Sequence, residues 1–280
     1  MTNSGYKPNL SPTPADLPVP LREFQVDQLQ VLVFADGAAV AQKAAELAAI
    51  ALTPTPSQTT SISTTTKSTT ASAILATGRT QLAFLELLAA NANLPWSQVT
   101  LFHLDEYLGL DGNHPASFQR YLRDRLGKLI DPKDFHYLQG DAPEPIVECD
   151  RYETLLPNTV DLCCLGIGDN GHLAFNEPGL ASLTDPRRVK LVRLAHETRQ
   201  QQVNRGAFKQ LDAVPQYALT LTLSAIATAR TILCLATGAG KTAIVRQLLQ
   251  DPISPNCPAS LLRSLPQAVL LLDQDAAGPL

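Results

Sequence analysis

The sequence lacks an excess of basic residues and any long apolar run, and each absence excludes a class of protein. Lysine and arginine together number 22 against 26 aspartates and glutamates, which leaves a net charge of −4. Acids and bases are mixed along the chain, so there is no basic footprint of the kind that binds nucleic acid. No apolar run reaches the roughly 20 residues that cross a bilayer. We therefore expect neither a nucleic-acid partner nor a membrane partner.

The chain is also poor in cysteine and lacks an export signal. Its five cysteines have no zinc-like spacing, and their odd number argues against a disulfide framework. Three of them lie in apolar runs, which predicts small buried hydrophobic residues in a reducing compartment. Residues 1–20 are polar and rich in proline, with neither the basic start nor the apolar stretch of a secretory signal. We expect a cytoplasmic protein.

Hydrophobic residues make up 45% of the chain, and they recur as short apolar strands that alternate with helical patterns. Several strands are continuous apolar runs, as expected where helices cover both faces of a sheet. The alternation predicts an α/β fold, a doubly wound and mostly parallel Rossmann-like sheet with helices on both faces. The expected strands are Gln30–Ala35, Ala73–Ala76, Val99–Leu104, Val160–Leu165, Val189–Leu194, Leu219–Leu223, Thr231–Leu235 and Ala268–Leu272. The expected helices are a segment capped by Asp36 that ends near Leu52, Thr80–Ala92, Ala116–Leu129, Ala239–Leu249 and Ala259–Leu265.

Two segments contain too few apolar residues to pack against a hydrophobic core. Residues 1–24 are expected to be a disordered lead-in, and residues 53–72, almost entirely Ser, Thr, Pro and Gln, a mobile surface loop. The remaining chain, 25–280, is expected to form a single domain. Parallel sheets bind ligands at the carboxyl ends of their strands, so the residues that follow each strand are the candidates for function.

Two glycine turns at strand ends are candidate phosphate sites. Thr77, Gly78, Arg79 and Thr80 follow one strand and open a helix, where backbone N–H groups and side-chain donors suit an anion. Taken alone, an ordinary strand–helix turn explains this segment equally well. Lys241 follows Gly238 and Gly240 in a segment that resembles a P-loop, but Leu235 stands where the first glycine of that motif belongs. What remains is a lysine suited to a phosphate monoester, or a solvated helix lysine.

Two other strand ends carry acid–base candidates. Asp105 directly follows an apolar strand and can serve as a general base, whereas His103, Asp105 and His114 could alternatively bind a metal. The metal alternative is weaker because no further pair of this kind repeats the spacing. Residues 166–171 read G-x-G-x-x-G, yet Pro178 and Gly179 stop a helix almost at once, which argues against dinucleotide binding. A turn with this many polar residues is typical of a catalytic loop.

The runs ATGRT, FHLDEYLGL, CLGIGDNGHLAFNEPG, YALTLTLSAI and LATGAGK, in this order, resemble the glucosamine-6-phosphate deaminase family. The resemblance extends from about Val31 to Asp273. The sister 6-phosphogluconolactonases share the fold, but Tyr107 and the run Phe175–Pro178 are similar to the deaminases.

The resemblance implies four catalytic positions and a phosphate site. Asp105 would move a proton between C2 and C1 of the open-chain sugar, and His172 would open the pyranose ring. Glu177 would orient that histidine, and Asn170 matches a further ring-opening position. Thr77, Gly78, Arg79, Thr80 and Lys241 would bind phosphate, with Arg205, or alternatively Arg199, as the phosphate arginine.

The implied reaction converts glucosamine 6-phosphate and water to fructose 6-phosphate and ammonia. It requires no cofactor and no metal, and its partner is a small sugar phosphate. The alternatives are 6-phosphogluconolactone hydrolysis, with His172 activating water, and a sugar-phosphate sensor without turnover, which the intact Asp105, His172 and Glu177 disfavour. The oligomeric state stays open, and a homo-oligomer is compatible with the sequence.

Overall fold

A computed structural model of the chain describes residues 17–53 and 70–280. Its strands are β1 Arg22–Val26, β2 Leu29–Phe34, β3 Ala71–Leu75, β4 Val99–His103, β5 Asp105–Tyr107, β6 Asp134–His136, β7 Leu162–Gly166, β8 Val189–Arg193, β9 Tyr217–Leu221, β10 Thr231–Ala236 and β11 Ala268–Asp273. Its α-helices are α1 Gly37–Leu52, α2 Leu82–Ala89, α3 Phe118–Leu122, α4 Pro145–Leu155, α5 His196–Asn204, α6 Leu223–Ala227, α7 Thr242–Gln250 and α8 Gln274–Ala277.

Eight strands form one sheet in the order β1-β2-β11-β10-β7-β3-β4-β6. Strand β1 runs antiparallel to β2 at one edge, and the other seven strands are parallel to one another. The mostly parallel α/β fold expected from the sequence is confirmed. Strand β7 lies near the middle between β10 and β3, so the ends of these three strands, with that of β4 beyond, lie side by side.

Helices cover both faces of this sheet, which explains the continuous apolar strands. Ala73 and Leu75 face a core built with α1 and α2, whereas Ile74 between them faces a second core built with α4 and α7. Asp36 caps the N-terminus of helix α1, as expected from the sequence, and its carboxylate accepts a hydrogen bond of 2.9 Å from the Ala39 N–H. All five cysteines are free and buried, as expected. None of the helices in the described residues is long and apolar enough to span a bilayer.

The strands expected near Val189–Leu194 and Leu219–Leu223 do not join the parallel sheet. They are β8 and β9, and with β5 they form a separate antiparallel sheet in the order β5-β9-β8. Leu104 connects the two sheets, because its N–H donates to Leu75 O of β3 at 3.1 Å and its carbonyl accepts from Leu221 N of β9 at 3.0 Å. The chain therefore passes from one sheet into the other immediately before Asp105.

The bounds expected for the two segments of low complexity need correction where the structure describes them. Residues 22–24, assigned to the lead-in, belong to β1, an edge strand whose polar side chains face solvent. Residues 71 and 72, assigned to the loop, are buried in β3. Residues 1–16 and 54–69 lie outside the described part of the chain.

Candidate active site

A cavity of about 680 Å³ opens at the carboxyl ends of β3, β4, β7 and β10. Its lining includes a residue from each of the four strand-end segments singled out in the sequence, together with one arginine of the chain after α5. The candidate residues in the lining are Thr77, Gly78, Arg79, Thr80, Asp105, His172, Arg205 and Lys241. The strand order brings these side chains together, because the strands that carry them are neighbours.

A second cavity, of about 650 Å³, lies at the opposite end of the same strands. It is lined by Ala71, Thr100 and Thr231, and it borders Thr53 and Thr70, the residues on either side of the undescribed segment 54–69. None of the candidate residues lines it. Because ligands of parallel sheets bind at the carboxyl ends of strands, the first cavity is the candidate site.

The Gly78 turn supplies one wall of the site. Gly78 has a φ of +112°, a conformation that glycine adopts without strain, and the chain continues into a 3-10 turn, Arg79–Gln81, ahead of α2. Within the described residues no side chain caps this turn. Its first N–H groups are therefore available to an anion in the cavity, with the donors of Thr77, Arg79 and Thr80 around them.

The Gly238 turn repeats the A-T-G sequence of the Gly78 turn but has a different partner. Gly238 also has a positive φ, of +86°. Its N–H, however, donates to both carboxylate oxygens of Asp273, at 3.0 and 2.9 Å. A carboxylate of the protein thus occupies the Gly238 N–H, and the turn contributes the side chains of Thr237 and Lys241 to the cavity lining.

Asp105 lies at the start of β5 with only 8% of its surface exposed. Burial, followed by the neighbouring charge of Glu106, raises the pKa of Asp105 from 3.8 to about 8. Both effects disfavour the ionised form of Asp105, because burial removes its hydration and the Glu106 carboxylate repels its negative charge. A carboxyl group whose pKa lies near neutrality is suited both to remove a proton and to return it.

Glu106 is a residue whose role the sequence did not reveal. Its buried carboxylate accepts four hydrogen bonds: from the N–H groups of Tyr107, Phe118 and Gln119 at 2.8, 3.1 and 2.8 Å, and from the Ser117 hydroxyl at 2.8 Å. Burial nevertheless outweighs these bonds and raises the pKa of Glu106. Glu106 ties the segment that follows Asp105 to the start of α3, so it positions the site rather than entering it.

The loop after β7 is shaped around His172. The Gly168 N–H donates to His172 O at 2.9 Å, and a Cβ atom on Gly168 would overlap the imidazole ring. Ala174 has a φ of +52°, an uncommon conformation for a residue with a side chain. The buried Asn176 amide fixes the loop by donating to Leu173 O and Leu221 O, both at 2.9 Å. No helix follows Gly171, so the segment is not a dinucleotide-binding turn.

Glu177 and Asn170 lie behind His172 rather than in the cavity lining. His172 Nδ1 is 3.5 Å from Glu177 Oε2, and the Asn170 amide donates to the same oxygen at 2.9 Å. Burial raises the pKa of Glu177, but the contacts of His172 and Asn170 outweigh it and hold that pKa below its ordinary range. Glu177 is therefore an anion that faces Nδ1, which leaves Nε2 as the ring nitrogen free to exchange a proton with a ligand.

The cationic side of the cavity contains Lys241 and Arg205. Lys241 Nζ donates to Ile167 O at 2.5 Å and also to Asp169, and Arg205 Nη2 lies 3.3 Å from Asp169 Oδ2. Arg199, the alternative phosphate arginine, instead donates to Leu211 O and Val214 O at 2.8 and 2.9 Å, outside the cavity lining. The geometry therefore favours Arg205.

The residues of the alternative metal site do not converge. His103 is fully buried, and its Nε2 accepts a hydrogen bond from Leu138 N at 3.3 Å. His114 Nδ1 accepts from Ala116 N at 3.1 Å. Across residues 17–53 and 70–280, no group of three His, Cys, Asp or Glu side chains is arranged to hold a metal ion.

The same fold and motifs occur in known proteins. Residues 42–270 match the family described as glucosamine-6-phosphate isomerases/6-phosphogluconolactonase, and the chain belongs to this family. A glucosamine-6-phosphate deaminase of an Exiguobacterium strain is 40% identical over 205 residues, which cover 73% of this chain and 78% of the relative. Glucosamine-6-phosphate deaminase 1 of Bacillus subtilis is 38% identical over 190 residues, 66% of this chain and 76% of the relative.

Solved structures agree with the family assignment. A monomeric glucosamine-6-phosphate deaminase superposes with a TM-score of 0.78 at 33% identity, covering 88% of this chain and 98% of its own. A 6-phosphogluconolactonase of Thermotoga maritima superposes with a TM-score of 0.63 at 21% identity, covering 88% of this chain and 98% of its own. At that identity the likeness to the lactonase concerns the fold alone.

Proposed function

We propose that this chain converts glucosamine 6-phosphate and water to fructose 6-phosphate and ammonia. The observation that carries the proposal is one cavity lined by Asp105, His172, the Gly78 turn, Arg205 and Lys241. The relatives named glucosamine-6-phosphate deaminase support it, as do Tyr107 and the run Phe175–Pro178.

The phosphate of the substrate would be held at the Gly78 turn. The backbone of Gly78 and the side chains of Thr77, Arg79 and Thr80 offer hydrogen bonds, and Lys241 and Arg205 offer positive charge. A dianionic phosphate needs both, because charge-assisted hydrogen bonds are the strongest contacts that a protein can make with it. Anchoring this end presents the sugar to His172 and Asp105.

His172 would open the pyranose ring by moving a proton from the anomeric hydroxyl to the ring oxygen. The Nε2 atom does this, and Glu177, held by Asn170, stabilises the protonated imidazole through Nδ1. The product of this step is the open-chain aldehyde with an amine on C2.

Asp105 would then carry the isomerisation. Its carboxylate removes the proton from C2 while a proton of the substrate's C2 ammonium group passes to O1, so the C1 aldehyde becomes an enol with an amine on C2. The protonated Asp105 then returns its proton to C1, and the C2 amine becomes a protonated imine. The resulting C2 imine adds water and loses ammonia, which gives fructose 6-phosphate. Asp105 returns the proton that it removes, so its carboxylate ends the cycle unchanged.

As part of the same proposal, the enzyme acts in the cytoplasm in the breakdown of amino sugars, and its partner is a free sugar phosphate. The alternative on this fold is hydrolysis of 6-phosphogluconolactone, in which His172 would activate water. A single assay panel decides between the two, measuring ammonia release from glucosamine 6-phosphate and acid release from the lactone. We expect ammonia from the first substrate. Acid release from the lactone without ammonia release would instead identify a lactonase. If neither product formed, the chain would be a sugar-phosphate-binding protein without turnover.

A further inference from the structure

We propose that Asp169 is an internal anion that competes with the substrate phosphate for Lys241 and Arg205 and thereby sets the affinity of the site. The inference rests on the proposed function insofar as it takes these two cations to be phosphate ligands. Neither the sequence motifs nor the roles described above require an acid at this position.

The contacts of Asp169 reach the two cations from outside the cavity. Its carboxylate accepts hydrogen bonds from Lys241 Nζ and Gln201 Nε2 and lies 3.3 Å from Arg205 Nη2. Asp169 itself does not line the cavity, whereas Lys241, Gln201 and Arg205 all do. The Asp169 carboxylate therefore connects the loop after β7 to two other parts of the chain. One is α5 with Arg205 directly after it, and the other is the turn before α7.

Asp169 is ionised at neutral pH. Burial raises its pKa, but the hydrogen bond and charge of Lys241, with the charge of Arg205, outweigh this and lower the pKa below its ordinary range. Without phosphate, one negative charge therefore balances half of the charge of the pair Lys241 and Arg205. A phosphate dianion that enters the cavity meets both the cations and this carboxylate.

Two opposite effects of Asp169 on phosphate affinity can be compared by magnitude. The carboxylate repels the phosphate, and it also holds the Arg205 side chain in place. A unit charge about 6 Å from a dianion weakens binding about tenfold even at the dielectric constant of water. Holding one arginine in place is worth less, because an exposed ion pair of this kind contributes little, and half of the Asp169 side chain and more than a third of the Arg205 side chain are exposed. Repulsion therefore dominates.

The test is the affinity of the full chain for inorganic phosphate, measured by titration calorimetry at low ionic strength. We expect Asp169→Asn to bind phosphate about tenfold more tightly than the wild type, and added salt to reduce this difference. The matched control is Asp185→Asn, which removes an aspartate paired with Lys190 at 2.9 Å outside the cavity lining. The control should leave the phosphate affinity unchanged.

A second background tests whether the repulsion between Asp169 and the phosphate is direct. In Lys241→Met the same Asp169→Asn change should still tighten phosphate binding, because the carboxylate repels the dianion whether or not Lys241 is present. Asp169→Ala serves as a second variant, and a melting curve of each variant verifies folding. With glucosamine 6-phosphate, KM should fall in Asp169→Asn while kcat changes little.

Unchanged or weaker phosphate binding in both Asp169 variants would overturn the proposal and make Asp169 a residue that positions Arg205. The phosphate titration needs no turnover. The two proposals can therefore fail separately. If the wild type released no ammonia but Asp169→Asn bound phosphate more tightly, the proposed function would be refuted and this inference would stand.

Discussion

Replacing Asp105 by asparagine should stabilise the protein while abolishing its activity. The carboxyl group is buried next to Glu106, and its pKa is raised to about 8. In the unfolded chain the same group ionises near 3.8. Between these two pH values the folded state binds more protons than the unfolded state, so the contribution of Asp105 to stability falls as pH rises. Asparagine has a similar shape and no charge, and it removes this dependence.

The magnitude follows from the two pKa values. A tenfold change in an acid dissociation constant corresponds to about 1.4 kcal/mol. The difference between 3.8 and about 8 therefore sets an upper limit of about 6 kcal/mol on the free energy needed to ionise Asp105 in the folded protein. Because Asp105 lines an open cavity, solvent offsets part of this, and we expect a measured stabilisation of about 1–3 kcal/mol above pH 8.

The assay is urea unfolding of Asp105→Asn and wild type between about pH 4 and pH 9. The difference in free energy of unfolding should be near zero at pH 4 and grow with pH. Asp185→Asn is a control of opposite sign: burial raises the pKa of Asp185, but Lys190 lowers it overall. Its removal should destabilise at neutral pH, and the loss should disappear in acid. A difference for Asp105→Asn that stays constant with pH would refute the inferred pKa.

The kinetic half of the prediction uses the same variant. Ammonia release should fall by about 10²–10⁴-fold or more, and exchange of the C2 proton with solvent should stop with it. At pH 7 phosphate affinity should change little, because Asp105, with a pKa of about 8, is mostly uncharged there. In the wild type, kcat/KM should rise with pH towards a plateau above about pH 8, since the carboxylate is the active form. Normal C2 exchange in Asp105→Asn would remove Asp105 from the mechanism.

Three further substitutions test the parts of the site separately. His172→Gln should reduce ammonia release by about 10²–10⁴-fold but slow deuterium incorporation at C1 of fructose 6-phosphate less; equal losses would contradict the division of labour between His172 and Asp105. Gly168→Ala should displace the imidazole that its Cβ would overlap and lower kcat by on the order of 10²-fold, and an unchanged kcat with intact phosphate binding would show that the loop absorbs the methyl group. Glu106→Gln places an amide opposite the Gln119 N–H, which should destabilise the fold by about 1–3 kcal/mol and shift the pH profile of Asp105 towards acid; a profile that does not move would show that the charge of Glu106 has no influence there.

The parallel sheet was predictable because its strands are buried on both faces. After Thr231, strand β10 is apolar and buried throughout. In a chain where strands alternate with helices, this pattern is typical of a parallel sheet covered on both faces. The antiparallel sheet was not predictable, because β9 is also a mostly buried apolar strand. The chain passes from one sheet to the other at Leu104, whose two backbone hydrogen bonds connect it to β3 and β9. The composition of β8 and β9 does not encode this change of sheet.

The position of the site was predictable for a similar reason, whereas the roles of its acids were not. Parallel strands place their following residues along one edge, so His172 and Lys241 could be expected near one another. Glu106 and Asp169 are different, because their roles depend on partners distant in sequence. Glu106 accepts from residues 117–119, and Asp169 pairs with Lys241, 72 positions away.

The two A-T-G turns show why a motif alone does not identify a phosphate site. Both turns follow a central parallel strand, and both have a glycine with positive φ before a 3-10 turn. At Gly238 the protein supplies its own anion, the carboxylate of Asp273, which also caps α8 by accepting from the Ala276 N–H at 2.8 Å. At Gly78 no side chain fills that role within the described residues, and the turn opens into the cavity. The proposed phosphate turn at Gly78 thus differs from the Gly238 turn in lacking such a partner, which for Gly238 is a residue at the end of β11, 35 positions further along the chain.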